Sequence, residues 1–402
     1  MPQDRFLPPQ SRRSFLQLST AAAVAAAAGF PVMTEPLLAR PAEHRFPAGA
    51  VVIDSNENPL GPSAGAREAA VAIVAQGGRY STWLTEDLLR QFAAMEGLKP
   101  EYVAAFPGSS EPLHYSVLTF TSPTRSYVTA DPGYEAGMYA AKISGARIVK
   151  TALTKTYAHD VKAMLAAAPD AGLFYICSPN NPTGTLTGHA DIEYLLENKP
   201  KGSILLVDEA YIHFSDATTA LDLVRADKDL IVLRTFSKIY GMAGLRCGFA
   251  IGRPDLLERI STYKPWNPMP ITAVVAATAS LKDAQLVPER RRLNSTIREA
   301  TFQWLASNGY SFIPSQSNCF LLDTKRPAKD VIAAMAGHNV FIGRIWPVLP
   351  THVRITVGTR EEMEQFQSAF QQVMKAAAAG RLPSAPNVAG RHLDGPLVRT
   401  RA

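Results

Sequence analysis

An α/β fold, with a mostly parallel sheet covered by helices, is predicted for this 402-residue chain by three observations. Apolar runs of strand length recur at 103–106, 126–130, 173–177, 204–207, 231–235 and 248–251, with helix-length spacers between them. That alternation is the pattern of parallel strands joined by helical crossovers. Dense turn clusters stand directly after such runs, as in Ser178-Pro-Asn-Asn-Pro-Thr-Gly184. Finally, 47% of the residues are hydrophobic, enough for a substantial core, and the length suits about two or three domains.

Taken in order, the chain opens with a segment unlike the rest. Ser11-Arg-Arg-Ser-Phe-Leu-Gln17 resembles the twin-arginine export signal, and an alanine-rich, mildly apolar run follows to about Phe30, with small residues near Ala39. The expectation is a cleaved signal over residues 1–39, read by the twin-arginine export machinery, and a periplasmic protein. A membrane anchor is the competing reading, because Ser14 to Thr34 carries no charge over 21 residues. Its many alanines and its polar Gln17, Ser19 and Thr20 make it a poor permanent span. Residues 84–95 read as a helix with Thr85 as cap, a Leu84/Leu89 staple and an apolar face of Leu88, Phe92 and Met95. The strand candidates come next. Thr359-Arg-Glu-Glu362 is a capping-box pattern that opens a helix with Met363, Phe366, Phe370 and Val373 on one face. From Gly380 to the end, Pro, Gly and Arg without periodicity predict a disordered tail. No internal repeat is visible.

Charge and cysteine content narrow the function classes. The formal net charge is +6, but residues 1–45 hold five Arg against three acids and residues 381–402 hold four Arg against one. The core between them is nearly neutral, which argues against a nucleic-acid-binding face. Cys177, Cys247 and Cys319 show neither metal spacing nor a disulfide framework, and each lies in or beside a strand, so buried packing is expected and no metal site is assigned.

Chemistry concentrates at the strand ends. Arg234-Thr-Phe-Ser-Lys-Ile-Tyr-Gly-Met-Ala-Gly-Leu-Arg246 places Lys238 between hydroxyl residues, just ahead of a second cation. A lysine delivered there by a strand suits a desolvated, covalently reactive amine. A carbonyl cofactor carrying a phosphate would explain the whole stretch, through an imine to Lys238 and a phosphate held by Thr235, Ser237 and Arg246. Alone, a Ser-Lys pair is more often a surface loop. In a parallel sheet, however, residues just past the strand ends converge on one crevice, so Asn181, Asp208, Tyr211 and Lys238 can share a site. Asp208 can pair with a protonated pyridine nitrogen, and Asn181 and Tyr211 with a phenolic oxygen. A single Asp at a strand end would be read equally well as a cap or turn residue. The four together point to chemistry.

These residues, with Ser55-Asn-Glu-Asn-Pro-Leu-Gly-Pro-Ser63 and Arg354-Ile-Thr-Val-Gly-Thr359, resemble the pyridoxal-5′-phosphate aminotransferases of fold type I, within them the histidinol-phosphate aminotransferase-like branch. The resemblance implies a large cofactor domain over 76–285, preceded by an arm over 40–75. A smaller α+β domain would be built from the N- and C-terminal parts, the latter spanning 286–379. It makes Lys238 the Schiff-base lysine and Asp208 the partner of the ring nitrogen, with Asn181 and Tyr211 on the phenolic oxygen. Tyr134, in Asp131-Pro-Gly-Tyr134, would stack on the ring. Ser109 and Ser110 would bind the phosphate, a role that also follows from a Gly-Ser-Ser turn opening a helix. Tyr80 resembles the tyrosine that reaches the partner's cofactor in a homodimer, although Ser81 replaces the usual proline and a packed interface tyrosine is the alternative. Arg354 would fork onto the substrate α-carboxylate, with Asn56 also on the substrate side.

The expected reaction moves an amino group between an amino acid, or a histidinol phosphate-like amine, and a 2-oxo acid. Arg344, in Gly343-Arg-Ile-Trp-Pro347, resembles the arginine that serves the substrate's phosphate in the histidinol-phosphate enzymes. It stands only ten positions before Arg354, as if in a shortened loop, and the Tyr-containing Pro-Gly segment of those enzymes is not evident between Arg40 and Val51. An aromatic or other amino acid is therefore an equal candidate. A lyase or decarboxylase on the same scaffold is the alternative chemistry, and a non-catalytic cofactor-binding protein the third reading.

Overall fold

The structure, a computed structural model, describes residues 46–267 and 269–378. The expected signal over 1–39 and the expected disordered tail lie outside the described residues.

Seven strands form the central sheet: β2 (Val103–Phe106), β3 (Ser126–Asp131), β4 (Ile148–Ala152), β5 (Ala171–Cys177), β6 (Ile204–Asp208), β7 (Leu230–Thr235) and β8 (Gly248–Gly252). Their spatial order is β2-β8-β7-β6-β5-β3-β4, and every pairing is parallel except the two made by β8. Every residue of β5, β6 and β7 is buried, as expected of parallel strands covered on both faces. Strand β8 runs against its neighbours because only the twelve residues Phe236–Cys247 connect it to β7. They hold no helical crossover of the kind that parallel neighbours use.

All six expected strands are present. Sequence reading missed β4, where Lys150 interrupts the apolar pattern. As an edge strand paired only with β3, it alternates buried and open residues. The helix expected at 84–95 begins earlier, at Thr82, after Ser81 in the left-handed region. Thr85 therefore lies inside the helix and does not cap it. Leu88 and Phe92 are buried as expected, but Met95, the last residue of the helix, is 56% exposed.

A second apolar cluster draws on both ends of the described chain. Strand β1 (Val51–Ile53) pairs in parallel with β11 (Val340–Ile342), while β10 (Cys319–Asp323) lies between β9 (Ser311–Ile313) and β12 (His352–Thr356) in an antiparallel sheet. Helix Arg360–Ala378 closes this cluster with Met363, Phe366, Phe370 and Val373, all buried. Its capping box forms as expected: Glu362 N donates to Thr359 Oγ1 at 3.2 Å, and Thr359 N donates to Glu362 Oε2 at 2.7 Å. The three cysteines are buried and unpaired.

Candidate active site

The carboxyl ends of β2, β5, β6 and β7 deliver their loops to one cavity of about 300 Å³. One end is built for an anion. Ser109 and Ser110 open the helix Ser110–Phe120, whose first-turn N–H groups have no carbonyl partner within the helix. Facing them are Thr235, Ser237 and Arg246. Arg246 is held by Ser237 Oγ at 3.3 Å, Ala243 O at 2.7 Å and Pro107 O at 3.2 Å. Gly108 has φ +87°, and a Cβ there would collide with the Arg246 guanidinium, so only glycine lets the loop lie against that cation. These groups fit a phosphate.

Lys238 lies between this end and the other. Its Nζ donates to Asn56 O at 3.0 Å and sits 5.6 Å from the Tyr211 ring centre. Burial, with the nearby Arg354 cation, pulls its pKa down to about 8. Asp208, the last residue of β6, is cross-strand partner of Cys177, which lines the cavity. Its carboxylate accepts from Tyr175 Oη at 2.9 Å and from Ala210 N at 3.0 Å. Burial outweighs those bonds and raises its pKa to about 6. A buried carboxylate held this way suits a ring nitrogen that brings its own proton.

The other end carries the substrate-side candidates. Arg354 is 3% exposed on β12. Its Nη1 donates to Asn181 Oδ1 at 3.0 Å and its Nη2 to Asp54 O, while its buried Nε finds no hydrogen-bond partner among the described residues. The short spacing from Arg344 is a hairpin: Arg354 N donates to Arg344 O at 3.1 Å, and Trp346 bridges to Leu349. Both arginines therefore reach the cavity, as do Tyr134, Asn181 and Tyr211. Asn56, expected beside the substrate, is fully buried and does not itself line the cavity. Its Nδ2 donates to Tyr211 Oη at 3.0 Å, and Ser55 and Glu57 line the wall instead. Tyr80 is 78% exposed and does not line the cavity of its own chain.

Besides the wall residues Ser55 and Glu57, several contributors escaped sequence reading, among them Tyr175, which steadies Asp208, Cys177 in the wall, and Glu135, which pairs with Arg344. The hydroxyl of Tyr175, inside an apolar strand and two residues before its end, was the available signal. A second cavity of about 310 Å³, lined by apolar residues such as Leu60, Phe214, Leu293 and Ile297 together with polar ones such as Arg290 and Asn294, shares Glu57 with the first and holds none of the candidate residues.

Residues 48–370 match the aminotransferase class I and II family. The chain is 33% identical over 332 residues to histidinol-phosphate aminotransferase of Moorella thermoacetica, covering 81% of this chain and 85% of the relative. It is 34% identical over 329 residues to histidinol-phosphate aminotransferase of Symbiobacterium thermophilum, covering 81% and 90%. In fold it is similar to the crystal structure of histidinol-phosphate aminotransferase from Sinorhizobium meliloti in complex with pyridoxal-5′-phosphate, with a TM-score of 0.77, 24% identity, and 87% and 97% of the two chains covered. A phosphate-shaped end, a half-buried lysine and a matched family sequence thus converge: the chain belongs to the aminotransferase class I and II family and is a transaminase that works with pyridoxal 5′-phosphate.

Proposed function

We propose that this enzyme moves an amino group between an amino acid, or a histidinol phosphate-like amine, and a 2-oxo acid, with Lys238 as its covalent anchor and proton carrier. The observation that carries this is the Lys238 amine. It is half-buried in the wall of a cavity with an anion cradle at one end and Arg354 at the other, and its pKa of about 8 leaves a usable neutral fraction near neutral pH. Bound pyridoxal 5′-phosphate supplies an aldehyde for primary amines and a ring that accepts the electron pair from Cα.

The chain's residues do the rest. Ser109, Ser110, Thr235, Ser237 and Arg246 hold the phosphate. Asp208 keeps a proton on the ring nitrogen. Asn181 and Tyr211 donate to the phenolic oxygen, with Tyr211 aimed by Asn56. Tyr134 covers the ring. Arg354 turns its fork from Asn181 and Asp54 O to the α-carboxylate, which orients the Cα–H bond toward Lys238 Nζ. Lys238, free as an amine, would take up and return the Cα proton.

Two further parts of the proposal rest on other observations. The twin-arginine pattern of Ser11–Gln17 supports export to the periplasm, through machinery that carries proteins already folded around their cofactor. Exposed Val71, Val74, Tyr80 and Trp83, in the chain between 71 and 83, support a homodimer in which Tyr80 reaches the partner's cofactor phosphate. The purified protein should be yellow, and borohydride should fix the cofactor on Lys238. A screen of amino donors and 2-oxo acids then identifies the pair. Reduced cofactor on another lysine, or carbon dioxide released in place of amino transfer, would sink the reading.

A further inference from the structure

We propose that Glu135 sets the side-chain preference of this enzyme by occupying Arg344 as a built-in counter-ion, so that amino donors with uncharged side chains are favoured over anionic ones. The proposal rests on the transaminase reading above and goes beyond it to the substrate class.

Four cationic side chains line the cavity: Lys238, Arg246, Arg344 and Arg354. Arg246 faces the phosphate end, Lys238 is the reactive amine, and Arg354 has an unpartnered Nε for a carboxylate. Arg344 alone has no assigned anion from cofactor or α-carboxylate, and the protein supplies one. Its Nη2 donates to Glu135 Oε1 at 2.7 Å. Glu135 stands between the cavity-lining Tyr134 and the helix Ala136–Ile143, where the helix N-terminus favours a negative charge independently of Arg344. The carboxylate is thus placed there by its own element.

Arg344 is held just as firmly. The Trp346 ring centre lies 5.2 Å from the Arg344 guanidinium and 5.7 Å from that of Arg354. That indole is 2% exposed, and its Nε1 donates to Gly133 O at 3.0 Å, two residues before Glu135. Segments 133–135 and 344–346 are therefore tied by an ion pair and by a buried hydrogen bond. Arg344 also adds repulsion at Arg354 and pulls its pKa down, after the larger effect of burial. With an α-carboxylate on Arg354, Arg344 is the cavity cation left over, and Glu135, beside the lining residue Tyr134, already pairs with it. A neutral side chain leaves this pair intact. An anionic one must either break the pair or lie beside Glu135 with like charge.

The side chains of Arg344 and Glu135 are about a third exposed, so solvent moderates the effect. Removing the carboxylate charge should shift selectivity roughly tenfold, less at high salt. The experiment uses the cofactor-loaded full chain and compares L-glutamate with L-phenylalanine in single-turnover half-reactions, followed by cofactor absorbance. Titration calorimetry with succinate and 3-phenylpropanoate, which lack the amino group, gives a readout free of turnover. Glu135→Gln should raise the glutamate-to-phenylalanine ratio of kcat/KM, and tighten succinate relative to 3-phenylpropanoate, by roughly tenfold. Glu135→Asp keeps the charge and should hold both ratios within about twofold. Arg344→Ala leaves Glu135 uncompensated and should lower both. If Glu135→Gln does not fold, Glu135→Ala carries the same comparison. Unchanged ratios in an active Glu135→Gln enzyme would overturn the proposal while leaving the transaminase reading intact. Failure of every donor with unaltered ligand binding would count against that reading instead, and the calorimetric ratios would still decide the role of Glu135.

Discussion

Asp208 and Lys238 are opposite charges placed in one buried site at a cost, and the cost is measurable through pH. Burial raises the Asp208 pKa from an ordinary 3.8 to about 6, so the native state takes up a proton more readily than the unfolded chain. Relative to the unfolded chain, the penalty is absent below about pH 4, grows as pH rises through 6, and is complete above it. Asp208→Asn should therefore stabilise the cofactor-free protein by up to about 3 kcal/mol at pH 8 and hardly at all at pH 4. Thermal melts at both pH values check this. With cofactor bound, the same change should slow Cα proton removal by orders of magnitude, since an amide cannot hold the ring nitrogen protonated; a pH-independent stability change would remove Asp208 from this role. Arg354 makes a different prediction. Its planar fork is matched to a carboxylate, so Arg354→Lys is not conservative. Loss of a charge-assisted bond, worth about 1.5–3 kcal/mol, should lower kcat/KM for amino acids roughly ten- to a hundredfold. An efficient Arg354→Lys enzyme would show that the α-carboxylate binds elsewhere.

Local rules wrote some elements plainly and others not at all. The helix Arg360–Ala378 is one of the plain ones, and Thr359→Ala should cost about 1 kcal/mol in urea unfolding, because it removes one half of a reciprocal cap from a helix packed through Phe366 and Phe370. No change in the unfolding midpoint would mean that packing alone fixes this end. The strand runs were legible because β5, β6 and β7 are buried on both faces and so read as continuous apolar segments. Residues just past their ends inherited that clarity, which is why Asn181, Asp208, Tyr211 and Lys238 could be grouped before any coordinates. Strand β4 was hidden by its edge position. Glu135, and the contacts of Asn56, were hidden for another reason: their partners, Arg344, Tyr211 and Thr356, are far away in sequence, and no local pattern encodes such a contact.

The whole molecule has its own tests. Tyr80→Ala should weaken assembly and loosen the cofactor together, as sedimentation and cofactor retention on dilution would show; a fully active monomer would contradict the composite site. Arg12→Lys with Arg13→Lys should leave rates in vitro unchanged yet keep the protein in the cytoplasm, and a doubly substituted protein still found exported would refute the twin-arginine reading. A last consequence comes from the clamp at Asn56. Its backbone N donates to Thr356 Oγ1 at 2.8 Å, Thr356 Oγ1 returns a bond to Asn56 Oδ1 at 3.2 Å, and Asn56 O receives Lys238 Nζ. The reactive lysine thus leans on a residue held from two distant places at once, by Tyr211 and by Thr356, 300 positions further on. A chain stopped short of Thr356 would keep the first hold and lose the second. Retention of the cofactor therefore also reports how well the early and late segments of the chain have come together around Lys238.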